Sequence, residues 1–154
     1  MSDAIRIERG RQPWLPAADT ELVEVFRRYD APLEGIVAQH GLAFLFRCLV
    51  GEIERFSIWG YGSLDDAERA RLSAAATHDL DELEAAIWRS DRPITVAFAT
   101  DDYGVLDSVA FDGPLTSDKL LGLDDLLSEA LDRRVAEVRS DLEAAAASLQ
   151  ALVL

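Results

Sequence analysis

The sequence predicts a single α+β domain. Its antiparallel sheet, a three-stranded meander plus a second hairpin, is covered by two mid-chain helices and a long C-terminal helix. Three observations carry that expectation. Residues 31–61, APLEGIVAQHGLAFLFRCLVGEIERFSIWGY, gather β-forming and aromatic residues between glycine-marked turns. Residues 94–111 repeat strand, Gly-containing turn and strand on a smaller scale. From Leu123 onward the chain lacks Gly and Pro altogether, and its apolar residues recur at spacings of three and four.

Taken in order, residues 1–18 form an arm carrying Arg6, Arg9 and Arg11, with Trp14 between Pro13 and Pro16. Prolines break regular structure, so Trp14 is expected to anchor an extended segment onto the body formed by residues 19–154. Glu21–Tyr29 has apolar residues compatible with helix or strand. Its β-branched and aromatic content tilts it to strand, ended by an Asp30-Ala31-Pro32 turn. In the meander, strands are expected over Glu34–Gln39, Leu42–Val50 and Arg55–Tyr61, with turns at His40-Gly41 and Gly51-Glu52. Along the middle strand Leu42, Phe44, Phe46 and Cys48 point one way, and Ala43, Leu45, Arg47 and Leu49 the other. Both faces are mostly apolar, which places this strand centrally with helices on at least one side.

The period then changes. Ser63 precedes acids in the manner of a helix cap, and a helix is expected over Leu64–Ala76. A second start at Asp79, with Glu82 three residues on, carries Leu80, Leu83, Ile87 and Trp88 on one face and ends near Ser90. Ile94–Thr100 and Val105–Phe111 make the second hairpin around Asp101-Asp102-Tyr103-Gly104, with Val105, Val109 and Phe111 opposite Leu106 and Ala110. In the final helix Leu131, Val135, Val138, Leu142, Leu149 and Leu152 form a heptad-like seam. It covers its own sheet or pairs with a second copy. Asp132, Arg134, Arg139 and Asp141 beside it favour an antiparallel homodimer over a parallel one.

Composition narrows the function classes. With 154 residues, 49% of them hydrophobic, the chain fits one domain with a real core. The net charge is −14, and it is uneven: residues 1–62 carry a net −2 and residues 63–154 a net −12. Such a surface repels phosphates, so nucleic acid is not an expected partner, whereas a basic protein is. The charged N-terminus has no leader pattern, and no stretch is apolar enough to span a membrane. Together with a single mid-strand cysteine, Cys48, this points to a reducing cytoplasm.

Catalytic patterns are missing. His40 and His78 have no partner at i+4, and the acids around His78 read as first-turn helix residues rather than metal ligands. Asp101–Gly104 lacks calcium-loop spacing. There is no nucleophile elbow and no phosphate-binding glycine loop, so neither a catalytic residue, a metal nor a cofactor is assigned.

Two surfaces remain as candidate sites. The first is acidic, made of Asp79, Asp81, Glu82 and Glu84, and suits a basic partner. The second is a candidate ligand face of Arg47, Trp59 and Tyr61. The run Tyr29-Asp30-Ala31-Pro32-Leu33, followed by Phe44-Leu45-Phe46, resembles the start of uncharacterised small bacterial α+β domains that carry a Tyr-Asp-x-Pro-Leu turn before a strand meander. That resemblance spans residues 21–100 and implies no activity. The leading expectation is a non-catalytic acidic interaction protein of the antitoxin, immunity or inhibitor kind. The alternatives are a small-molecule-binding or enzymatic domain with a pocket at Arg47, Trp59 and Tyr61, and a structural subunit of an oligomer.

Overall fold

A computed structural model of the chain describes residues 4–53, 56–100, 102–122 and 143–149. Six strands follow one another in space as in sequence: β1 (Glu21–Tyr29), β2 (Ala31–Gln39), β3 (Leu42–Ile53), β4 (Phe56–Leu64), β5 (Pro93–Thr100) and β6 (Val105–Asp112). Every neighbouring pair is antiparallel. The meander is interrupted once, between β4 and β5, by helices α1 (Asp66–Ala74) and α2 (Thr77–Trp88), and α3 (Ser117–Leu121) follows β6. The α+β class and the antiparallel sheet are therefore as the sequence predicts. Of the expected long C-terminal helix, residues 123–142 and 150–154 lie outside the described residues, and 143–149 are helical.

Turn chemistry sets most of the register. At the β2–β3 hairpin Gln39 pairs with Leu42, and His40 and Gly41 both take positive φ, 49° and 78°. Two left-handed residues are what a tight hairpin needs to match the strand twist. At β1–β2 the turn is tighter than expected. Asp30, at φ 60°, makes it alone, and Ala31 and Pro32 already belong to β2. The expected turn at Gly51-Glu52 is not there either. Both residues lie in β3, which runs on through two register irregularities to pair Ile53 with Phe56. A bulge lets the strand absorb a glycine without turning.

The helix starts also shift. Asp65, not Ser63, caps α1, and it forms a reciprocal capping box with Glu68, because Ser63 and Leu64 are still paired within β4. The α2 helix begins at Thr77 rather than Asp79, and its cap residue Ala76 makes no side-chain cap bond. In β6 a register shift opposite Phe98 and Ala99 leaves Leu106 as the extra residue. Leu106 thus packs with Val109 and Phe111 instead of opposing them.

Each face of the sheet has its own cover. On one, Ile36, Leu45, Ile58, Ile94, Val96 and Phe98 meet α1, α2 and α3 through Leu72, Leu80, Ile87, Trp88 and Leu120. The α2 helix comes close because β4 presents Gly60 and Gly62 beneath it. A Cβ on Gly62 would stand 2.9 Å from Ile87 Cγ2, and one on Gly60 would stand 3.3 Å from the Trp88 ring. On the other face Val37, Phe44, Phe46, Trp59 and Tyr61 are covered by the N-terminal arm through Ile5, Ile7 and Trp14. Trp14 anchors the arm as expected, with its ring 6.0 Å from that of Trp59 and 5.2 Å from that of Tyr103. Gly10 and Arg11 extend the ladder at the β6 edge by bonding Val105 on both sides of its peptide. No helix among the described residues is long and apolar enough to cross a membrane.

Candidate functional site

Glu34 and Arg47 sit directly across from each other in the β2–β3 ladder, both on the helix-covered face. Glu34 is two residues from Ile36 and Arg47 two from Leu45, so strand alternation fixes where they point. Above them lies α2, whose inward stripe reads Leu80, Leu83, Glu84, Ile87 and Trp88. Glu84 stands four residues from both Leu80 and Trp88 and is carried into the core with them. Glu34 is 1% exposed and Glu84 0%.

Arg47 Nη1 gathers the cluster. It donates to Glu34 Oε2 at 2.9 Å, Glu84 Oε1 at 3.2 Å and Asp81 Oδ1 at 3.4 Å. From β1, Arg27 Nη2 donates to Asp81 Oδ1 at 2.8 Å, and its Nε lies 3.3 Å from Glu34 Oε1. Asp81, more than half exposed, closes the outer side. Glu34 Oε1 and Glu84 Oε2 are buried without a hydrogen-bond partner, as is Trp88 Nε1. Burial, together with the neighbouring Glu34, pushes the Glu84 carboxyl from an ordinary 4.5 up to about 9, with Arg47 pulling the other way. The attraction of Glu84 and Glu34 raises Arg47 above its ordinary value although burial opposes it.

Oxygens of Glu34, Asp81 and Glu84 lie within 4.8 Å of one another, a spacing that invites a metal ion. The guanidinium argues against one. Nη1 already donates to an oxygen of each of the three carboxylates, so its positive charge occupies the place a cation would take. The donor set suits an arginine better than a divalent metal.

The expected ligand face is not assembled. Arg47 pairs with Gly60 of β4, so it shares a face with even-numbered residues of that strand. Trp59 and Tyr61 therefore point to the opposite side, among the arm residues, and are buried. The Tyr61 hydroxyl donates to Pro13 O at 2.6 Å, and the Trp59 indole to Ser57 Oγ at 2.8 Å. A depression of about 410 Å³ lies elsewhere, lined by Ile5, Arg6, Gln39, His40, Leu42 and Phe44. Comparison with family models, with curated proteins and with solved structures gives no match.

The acidic surface is divided too. Asp79, Asp81 and Glu82 are exposed on α2, but Glu84 is a core residue and is removed from that surface. A carboxylate reads as surface by composition, whereas its place in the stripe with Leu80 and Trp88 was the signal that it faces inward. Of the self-association seam, Leu131, Val135, Val138, Leu142 and Leu152 lie outside the described residues. Leu149 is 1% exposed and packs into the chain's own helix-side core.

Proposed function

We propose that the chain is a non-catalytic interaction protein that offers the outer side of α2 to a basic protein partner, acting as an inhibitor, antitoxin or immunity protein would. One observation carries this reading. Docking through Leu80, Glu84, Ile87 and Trp88 leaves Asp79 and Glu82, three residues apart, exposed on a helix in the strongly acidic part of the chain, with Asp81 exposed beside them but paired to Arg27 and Arg47. Rim charges of this kind act on association rate and partner choice more than on folding. The buried carboxyls, by contrast, do not line the depression beside the arm, and they engage arginines rather than an open cleft. A cytoplasmic home fits the same reading.

The test compares the tagged chain with an Asp79→Lys/Glu82→Lys variant in co-purification at low and high salt, followed by kinetics on any basic protein retained. The reading predicts a basic partner that is lost at high salt and associates about tenfold more slowly with the variant. A partner set unchanged by the double reversal would contradict it.

A further inference from the structure

We propose that Glu34 and Glu84 hold one proton between them at neutral pH, and that this proton is released when α2 leaves the sheet. The docking of the acidic helix would then be sensitive to pH. The proposal does not rest on the partner reading, because its test uses the chain alone.

Charge balance requires such a proton. Among the described residues, the groups gathered around Glu84 are Glu34 from β2, Arg47 from β3, Arg27 from β1 by way of Glu34, and Asp81 from α2 itself. Three carboxyls face two guanidiniums. With one proton on the Glu34–Glu84 pair the cluster is neutral; without it, a net negative charge is placed where both carboxyls are almost wholly removed from water. Asp81 is too exposed to be the group that keeps a proton.

Hydrogen bonding points the same way. Arg47 Nη1 bonds one oxygen of each glutamate, leaving Glu84 Oε2 buried without a hydrogen-bond donor and Glu34 Oε1 with no more than an ion-pair contact to Arg27 Nε at 3.3 Å. Buried carboxyl oxygens left without a hydrogen bond are an expensive arrangement, and a proton between the carboxyls supplies the missing O–H. The elevated value of Glu84 agrees with this placement.

The consequence follows from linkage. Docked α2 keeps the proton up to pH about 9, whereas an undocked Glu84 in water gives it up near 4.5. Between those limits, opening of α2 releases a proton, so the opening constant rises as pH rises, by up to about tenfold per unit. Glu84→Gln keeps the shape and an N–H donor but has no proton to lose.

Two measurements on the full chain decide the matter. Infrared spectra at neutral pH should show the carbonyl stretch of a protonated carboxyl, fading as pH passes about 9 and missing from Glu84→Gln. Hydrogen exchange from pH 6 to 8, corrected for intrinsic base catalysis, should show α2 opening that climbs up to about tenfold per unit in the parent and stays flat in the variant. If the parent shows no protonated-carboxyl band at neutral pH the proposal is overturned, whether or not the variant folds. It is equally overturned if α2 opening has one pH dependence in both proteins.

Discussion

The two faces of the sheet are built from alternate residues of the same strands, yet they solve burial differently. The arm face is an aromatic layer of Phe46, Trp59, Trp14 and Tyr103, with ring centroids 5.2–6.4 Å apart in tilted or edge-on contact. Its polar atoms at Tyr61 and Trp59 each find a partner. On the helix face the core contains two carboxyls and an arginine, with two carboxyl oxygens and an indole N–H making no hydrogen bond. A plain apolar stripe would stabilise α2 at least as well, since buried ion clusters seldom contribute net stability. Among the described residues the buried charges therefore lie on the helix face, and sensitivity to pH lies with them.

The largest expected effects come from removing a central group on either side. Trp59→Ala should destabilise the chain by about 3–5 kcal/mol, since it empties the middle of the aromatic layer. Arg47→Leu should cost a similar amount, about 3–5 kcal/mol, for a different reason: Glu34 and Glu84 lose the cation they share. Denaturant unfolding separates the two. The Trp59 loss should be nearly independent of pH, whereas the Arg47 loss should grow as pH rises and the pair is pressed to ionise.

A smaller effect is expected at the edge of the arm face. Tyr61→Phe removes only the bond to Pro13 O and should cost about 1 kcal/mol. Burial holds the Tyr61 phenol well above its ordinary value, with Cys48 adding to the shift, so the bond should persist through the alkaline range. Protection of the arm amides of Gly10 and Arg11 against hydrogen exchange reports the same change. If Tyr61→Phe left arm protection and stability untouched, the hydroxyl would have no part in seating the arm.

How far the sequence alone reaches can be judged from particular residues. Strand alternation already separates Phe44, Phe46 and Cys48 from Ala43, Leu45 and Leu49, because period two leaves no other arrangement. Trp14, set between prolines, is legible as the anchor of the arm. The parity of Arg47 was legible as well. A two-residue turn pairs odd with even positions, and the two irregularities of β3 near Val50 each shift the register by one and together keep that parity, so Trp59 could not share its face. Glu84 was harder. Its charge says surface and its spacing from Leu80 and Trp88 says core, and the conflict is settled only when Arg47 is known to wait beneath it. Local sequence holds no trace of a partner 37 positions away.

The pH response allows the most direct test of the difference between the faces. Two acids pull in opposite directions. The hydrogen bond from Arg92 holds Glu68 below its ordinary value, so its contribution is present above that range and lost as pH falls. Glu84 is raised, so its contribution is complete below 4.5 and drains away as pH climbs to about 9. Glu84→Gln removes the second response and keeps the first. The deciding measurement is the unfolding free energy of parent and Glu84→Gln across pH 5–9. The account predicts that the parent falls behind the variant by up to about 1.4 kcal/mol per pH unit. Two curves that run parallel over that window would contradict it.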